Sequence, residues 1–227
     1  MSEVLGIFGR RGTGKSCLAR WWAKRHVSLI VFDPLHEHQG LGRVCRGRAS
    51  FLDSLSRSGD RSRIVFQPEV RSDESAILEV MPHVSSTCFL LDEVDRLCSP
   101  TTLPETLHNL VHYGRHKGLS LIYCSRRPAD VSRALTSQSD HVATFLTVEP
   151  RDLDYFRQSG FDRDLVLKLR GHDFYMWPEG KRCILRGNRL TFYSEQHIVQ
   201  STGGEEKAPD LVSNLDGGEA DGQAESE

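Results

Sequence analysis

Short apolar runs recur along the chain, each closing on a polar residue, with amphipathic stretches between them. Residues 4–8, 28–32 (SLIVF), 63–66 (RIVF), 87–91 (TCFLL), 119–124 (LSLIYC) and 141–145 read as strands. Most are apolar without alternation, the pattern of parallel strands covered on both faces. Helical periodicity predicts helices over residues 17–22, 49–58, 75–80, 104–116, 129–135, 151–158 and 162–169. Strand and helix alternate throughout, so the expected architecture is α/β with a doubly wound, mostly parallel sheet.

Two segments fall outside that alternation. Residues 174–177 and 183–185 flank the turn Pro178-Glu179-Gly180-Lys181, which reads as a β-hairpin appendage over about 173–186. From about residue 202 the chain is rich in Gly, Ser, Ala and acid and cannot bury apolar area. The expected organisation is one domain over 1–200 and a disordered acidic tail over 201–227.

Composition sharpens this picture in few places. A length of 227 residues suits one sizeable domain. No apolar run approaches a membrane span, and the N-terminal residues lack a signal-peptide pattern, so the protein is expected to stay in the compartment where it is made. The cysteines Cys17, Cys45, Cys88, Cys98, Cys124 and Cys183 form no C-x-x-C pair and are expected to be reduced, structural thiols. Residues 201–227 hold eight acidic side chains and one base, leaving 28 Lys+Arg against 23 Asp+Glu elsewhere. A mildly basic body is compatible with nucleic-acid contact but does not argue for it alone.

Chemistry concentrates in residues 9–17, which join the first strand to the first helix. Gly9, Arg10, Arg11, Gly12, Thr13, Gly14, Lys15 and Ser16 form Gly-x-x-x-x-Gly-Lys-Ser, a P-loop whose glycines let backbone N–H groups converge on phosphate oxygens, with Cys17 next on the helix. Lys15 is expected to reach the β and γ phosphates, and the Ser16 hydroxyl to coordinate Mg²⁺. Asp92 and Glu93 end the fourth apolar run. An aspartate there holds the Mg²⁺ shell, and the adjacent glutamate polarises water for attack on the γ-phosphate. No guanine-reading NKxD signature is visible, which leaves ATP as the expected nucleotide.

His108, His112 and His116 share one predicted helix face, but no cysteine or carboxylate completes a metal set with them. His36-Glu37-His38 lacks the H-E-x-x-H spacing of a zinc protease.

Residues 113–128 (YGRHKGLSLIYCSRRP), taken with the P-loop and the Asp-Glu strand, resemble the HerA/FtsK superfamily of DNA-pumping ATPases over roughly residues 4–160. The resemblance implies a P-loop NTPase fold of the RecA-like, additional-strand type. It implies ATP hydrolysis with Mg²⁺ at the subunit interfaces of a homo-oligomeric ring of five or six copies, acting on double-stranded DNA. Where the family commonly carries a γ-phosphate-sensing Gln, this chain has Arg126, so Arg126 or Ser125 is the sensor. Arg115 resembles the arginine that a neighbouring subunit contributes. Lys117, Arg127 and Arg133, with Arg126, are expected to cluster at the end of the fifth strand and grip the DNA backbone.

The absence of a membrane segment, a winged-helix extension and an N-terminal barrel resembles the viral and phage genome-packaging branch. That branch implies capsid vertex proteins as partners and the host cytoplasm as the location. A cellular HerA-like translocase is the alternative within the superfamily. An ATP-dependent interaction module without efficient hydrolysis is the alternative outside it.

Overall fold

The computed structural model describes residues 2–59, 61–186 and 189–193. The expected acidic tail over 201–227 lies outside them. The strands, in chain order, are β1 (Val4–Phe8), β2 (Leu29–Phe32), β3 (Arg43–Arg46), β4 (Arg63–Gln67), β5 (Cys88–Leu91), β6 (Ser120–Ser125), β7 (His141–Phe145), β8 (Asp173–Trp177), β9 (Lys181–Arg186) and β10 (Arg189–Tyr193). The helices are α1 (Lys15–Ala23), α2 (Gly47–Ser56), α3 (Ala76–Val80), α4 (Glu105–Tyr113), α5 (Arg133–Thr136), α6 (Pro150–Gln158) and α7 (Arg163–Lys168).

All ten strands form one sheet in the order β10-β9-β8-β7-β1-β6-β5-β2-β4-β3. β1 through β7 pair in parallel, whereas β8, β9 and β10 are antiparallel. The P-loop strand β1 and the Asp-Glu strand β5 are not neighbours, because β6 lies between them. The expected additional-strand α/β architecture is therefore present.

Alternation along β1 sends Val4 and Phe8 to one face and Leu5 and Ile7 to the other. The first face is covered by α2 to α7, through Phe51, Ile77, Leu107, Leu135, Phe156 and Val166. On the second face α1 is the packing helix, through Leu18, Ala19, Trp22 and Ala23. Among the described residues the winding is thus unequal, with one helix opposing six.

Four expectations change. β3 is additional: its sequence RVCR buries only Cys45, and a short, basic edge strand leaves no apolar run to read. Residues 129–135 hold a 3₁₀ turn (Pro128–Asp130) and the single-turn α5 instead of one helix. Helix α4 gives way after Tyr113 to a 3₁₀ turn (Gly114–Lys117), so His116 leaves the face that His108 and His112 share. The hairpin is no appendage, because β8 pairs with β7 from Val142–Trp177 to Phe145–Phe174 and carries the sheet onward.

The hairpin turn is also pinned electrostatically. His141 Nδ1, at the start of β7, lies 3.1 Å from Glu179 Oε1. That carboxylate raises the imidazole above its ordinary 6.5, against the pull of burial. Burial alone would raise Glu179, but the imidazole, a backbone hydrogen bond and the Lys181 charge together outweigh it and hold the carboxyl below 4.5. The His141 contribution is complete below pH 6.5 and fades as pH rises through its raised value. The Glu179 contribution is complete above pH 4.5 and fades as pH falls through its lowered value. The difference in unfolding free energy between wild type and His141→Gln, read from urea titrations, should therefore peak between these values, at about 0.5–1 kcal/mol for a half-buried pair. A gap unchanged from there to alkaline pH would contradict this account.

Candidate nucleotide-binding site

Every motif residue of the P-loop and of the Asp-Glu pair stands at the carboxyl edge of the parallel strands, where open α/β sheets bind ligands. Gly9 N donates to Ser125 O at 3.3 Å, tying the loop to the end of β6. Thr13 Oγ1 donates to Arg10 O at 2.8 Å and closes the loop on itself. Gly14 caps α1 in the left-handed region (φ 108), where a side chain would be strained, and no side chain caps the helix. The first-turn N–H groups of α1 are left to an anion. Lys15 is buried, its Nζ 3.4 Å from Arg10 O.

Arg11, Gly12, Gly14, Lys15, Ser16 and Cys17 line a cleft of about 500 Å³ together with Arg20, Leu35, Glu37, Asp92, Glu93, Arg126 and His172. Arg10 is exposed and outside that lining. Cys17 is exposed too, whereas the other five cysteines are buried, and all six are free.

On the acidic side, Asp92 continues β5 with its N–H on Phe32 O at 3.1 Å. Asp92 Oδ1 accepts from Glu93 N at 3.1 Å. Glu93 takes up a left-handed backbone (φ 51), unusual for a residue with a side chain and costing ~1–3 kcal/mol. The strain turns its carboxylate into the cleft, where Arg126 Nε donates to Oε1 at 3.2 Å. Burial, followed by the Asp95 carboxylate, raises the Glu93 carboxyl above its ordinary range, and Arg126 only partly offsets this. Ser125 is buried, its hydroxyl donating to Asp95 Oδ1 at 3.0 Å, and it is not among the cleft residues. Of the two sensor candidates, Arg126 is the one in the cleft.

Three contributors were not expected from sequence. Glu37 Oε2 accepts from Ser16 Oγ at 2.5 Å. His38 Nε2 lies 2.8 Å from Asp92 Oδ2, with both groups buried. His172, just before β8, places Nδ1 3.0 Å from Thr13 O and so packs the C-terminal strands against the P-loop. The available signal was the Asp33 that ends β2 as Asp92 ends β5, with His36-Glu37-His38 immediately after it.

The basic residues do not gather as expected. Arg126 and Arg127 follow β6, whereas Arg115 and Lys117 precede it, about 20 Å away along six strand residues. Arg115 forms an ion pair with Asp140 and does not reach this chain's cleft. Lys117 Nζ donates to Pro82 O at 3.0 Å. Arg127 is held by Asp152 (3.1 Å) and Glu149 (3.6 Å), and Arg133 by Gln158 (2.7 Å) and the Tyr155 ring.

The residues present fit a magnesium nucleotide. Ser16 and Asp92 offer the hard oxygen donors that Mg²⁺ takes, beside a lysine and a helix start suited to phosphate.

No protein-family model and no curated protein sequence matches the chain. Solved structures do match in fold. The genome-packaging NTPase B204 of Sulfolobus turreted icosahedral virus 2, in complex with AMP, aligns with a TM-score of 0.65 at 17% identity, over 85% of this chain and 97% of that one. The DNA-packaging ATPase B204 of Sulfolobus turreted icosahedral virus aligns at 0.61 and 18% identity, with the same coverage. VirB4 of Thermoanaerobacter pseudethanolicus aligns at 0.56 and 12% identity, over 83% of this chain and 88% of that one. The chain thus has the mostly parallel α/β fold of P-loop ATPases. Among the described residues no helix is long and apolar enough to cross a membrane.

Proposed function

We propose that this protein is a Mg²⁺-dependent ATPase that moves double-stranded DNA, serving viral genome packaging. The observation that carries the reading is the convergence of Lys15, Ser16, Asp92, Glu93 and Arg126 on one cleft at the carboxyl edge of an additional-strand sheet. Lys15 and the α1 start bind the β and γ phosphates. Ser16 and Asp92 hold Mg²⁺, which neutralises phosphate charge when bound. Glu93 orients and deprotonates the attacking water, and Arg126 faces the charge that develops on the γ-phosphate. Fold likeness along nearly the whole length of a viral packaging NTPase favours packaging over other translocation tasks.

The active form is a homo-oligomeric ring of five or six copies, with capsid vertex proteins as partners in the host cytoplasm. Arg115, exposed at the opposite sheet edge from its own P-loop, acts on a neighbour's nucleotide. Lys117, Arg127 and Arg133 contact the DNA backbone as separate points rather than as one patch, each exchanging its present partner for phosphate.

Steady-state ATP turnover with and without double-stranded DNA, combined with particle mass in solution, tests this reading. DNA should stimulate turnover several-fold in a ring-sized particle. A monomer with turnover indifferent to DNA would instead identify a nucleotide-dependent interaction module.

A further inference from the structure

Asp33 lies at the carboxyl end of β2, fully buried, and its N–H extends the ladder to Phe66 O at 2.9 Å. Its carboxylate is surrounded by donors: Glu37 N at 2.8 Å on Oδ1, and His38 N at 3.1 Å and Gln67 Nε2 at 2.9 Å on Oδ2. These bonds fold residues 33–38 into a closed turn, with His36 in the left-handed region (φ 61). Arg20 Nη1 of α1 donates to Glu37 O at 3.1 Å and grips the turn from the other side.

Two consecutive side chains leave this turn in divergent directions, and each ends on a different oxygen donor of the magnesium site. Glu37 Oε2 meets the Ser16 hydroxyl at 2.5 Å, and His38 Nε2 meets Asp92 Oδ2 at 2.8 Å. His38 is fully buried, and its Nδ1 has no hydrogen-bond partner. A buried N–H left unpaired costs more than an unpaired ring acceptor, so the proton sits on Nε2 and is donated to Asp92. Asp33, His38 and Asp92 are close enough together to suggest a cation site of their own. Three hydrogen bonds already occupy Asp33, and the His38 to Asp92 separation is that of a direct hydrogen bond, so the cluster reads as a support.

Building on the nucleotide-site reading, we propose that the turn 33–38 positions the magnesium ligands, with His38 orienting Asp92 and Glu37 holding Ser16 on a template formed by Asp33. Both are positioning residues that act through the ligands, His38 from a buried position and Glu37 from the wall of the cleft. Partners of this kind orient metal ligands, and their loss typically lowers metal affinity ~10–100-fold. The arrangement couples two separate motifs, the P-loop and the end of β5, through a third strand that carries neither.

The test measures affinity of the full chain for a fluorescent ATP analogue in Mg²⁺ and in EDTA, for wild type, His38→Leu, His38→Gln and Glu37→Ala. The wild-type chain should bind more tightly with Mg²⁺. His38→Leu should lose ~10–100-fold in the Mg²⁺ concentration needed to reach half of that gain, while its EDTA affinity stays within about twofold, the limit we set for no effect on the P-loop. His38→Gln, which keeps a donor for Asp92, should recover most of the loss, and Glu37→Ala, at an exposed position, should show a loss of the same kind without a folding penalty. An unchanged Mg²⁺ requirement in both His38→Leu and Glu37→Ala overturns the proposal, as does an equal loss in EDTA, which would mark a merely structural role. Stoichiometric Zn²⁺ or Mn²⁺ binding without nucleotide, abolished by His38→Gln, would also overturn it by making the cluster a cation site. A wild-type chain that binds no nucleotide defeats the underlying reading, a result distinguishable from all of these.

Discussion

Glu93→Gln is expected to lower ATP turnover by ~10²–10⁴-fold, the range associated with removing a positioned general base, while leaving nucleotide affinity nearly unchanged. The substitution keeps the length and shape of the side chain and an acceptor for Arg126 Nε, now 3.2 Å from Oε1. It removes only the ability to take a proton from water. The left-handed backbone at Glu93 points to the same role, because strain of ~1–3 kcal/mol is retained where the surroundings require one direction for a side chain. Asp95, the next carboxylate along the chain, cannot substitute, since it accepts the Ser125 hydroxyl at 3.0 Å. Turnover within about tenfold of wild type, well short of the loss expected for a general base, would remove Glu93 from the reaction and leave the cleft as a binding site.

How much of this site could be read in advance depends on the range of the interactions that build it. The P-loop and the Asp-Glu pair were legible because each is a local device: glycines at fixed offsets between a strand and a helix, and carboxylates directly after an apolar run. Their shared position follows from the rule that parallel strands present their carboxyl ends together. The turn at residues 33–38 was not legible. Its function depends on β2 lying beside β5, and that neighbourhood belongs to the sheet order rather than to any local pattern. Set apart from that order, His36-Glu37-His38 resembles only a failed zinc motif.

The same distinction separates the remaining expectations. Lys117 and Arg126 are nine residues apart in sequence, yet a whole strand, β6, lies between them. Proximity along the chain suggested a basic cluster, but an extended strand converts that interval into nearly the full depth of the sheet. β3 escaped notice for a different reason, since an edge strand needs little apolar burial and carries arginines where a central strand carries valines. His172 lies far from the P-loop in sequence and reaches it because the antiparallel β8 starts where β7 ends.

Gly6→Val is expected to have the largest effect on stability, and the reason lies directly beneath the P-loop. Gly6 sits in the middle of β1 and pairs in register with Tyr123 of β6. A Cβ on Gly6 would stand 2.5 Å from Tyr123 Oη and 2.6 Å from Cζ, well inside contact distance. Neither partner has room to yield. The Tyr123 ring is fully buried, packs edge-on against Phe8 at 5.9 Å and bonds Ser139 through its hydroxyl at 2.8 Å. β1 is held on both sides, by β6 and β7, and cannot shift without breaking a ladder. Overpacking of ~1–3 kcal/mol, with ~1 kcal/mol more for a displaced hydroxyl bond, should lower the melting temperature by roughly 5–15 °C for a domain of this size. If the clash is the cause, Gly6→Val combined with Tyr123→Leu should lose less than the sum of the two single losses, because each substitution relieves what the other provokes. Strict additivity, or a Gly6→Val protein that melts within about 2 °C of wild type, would show that β1 tolerates a side chain there.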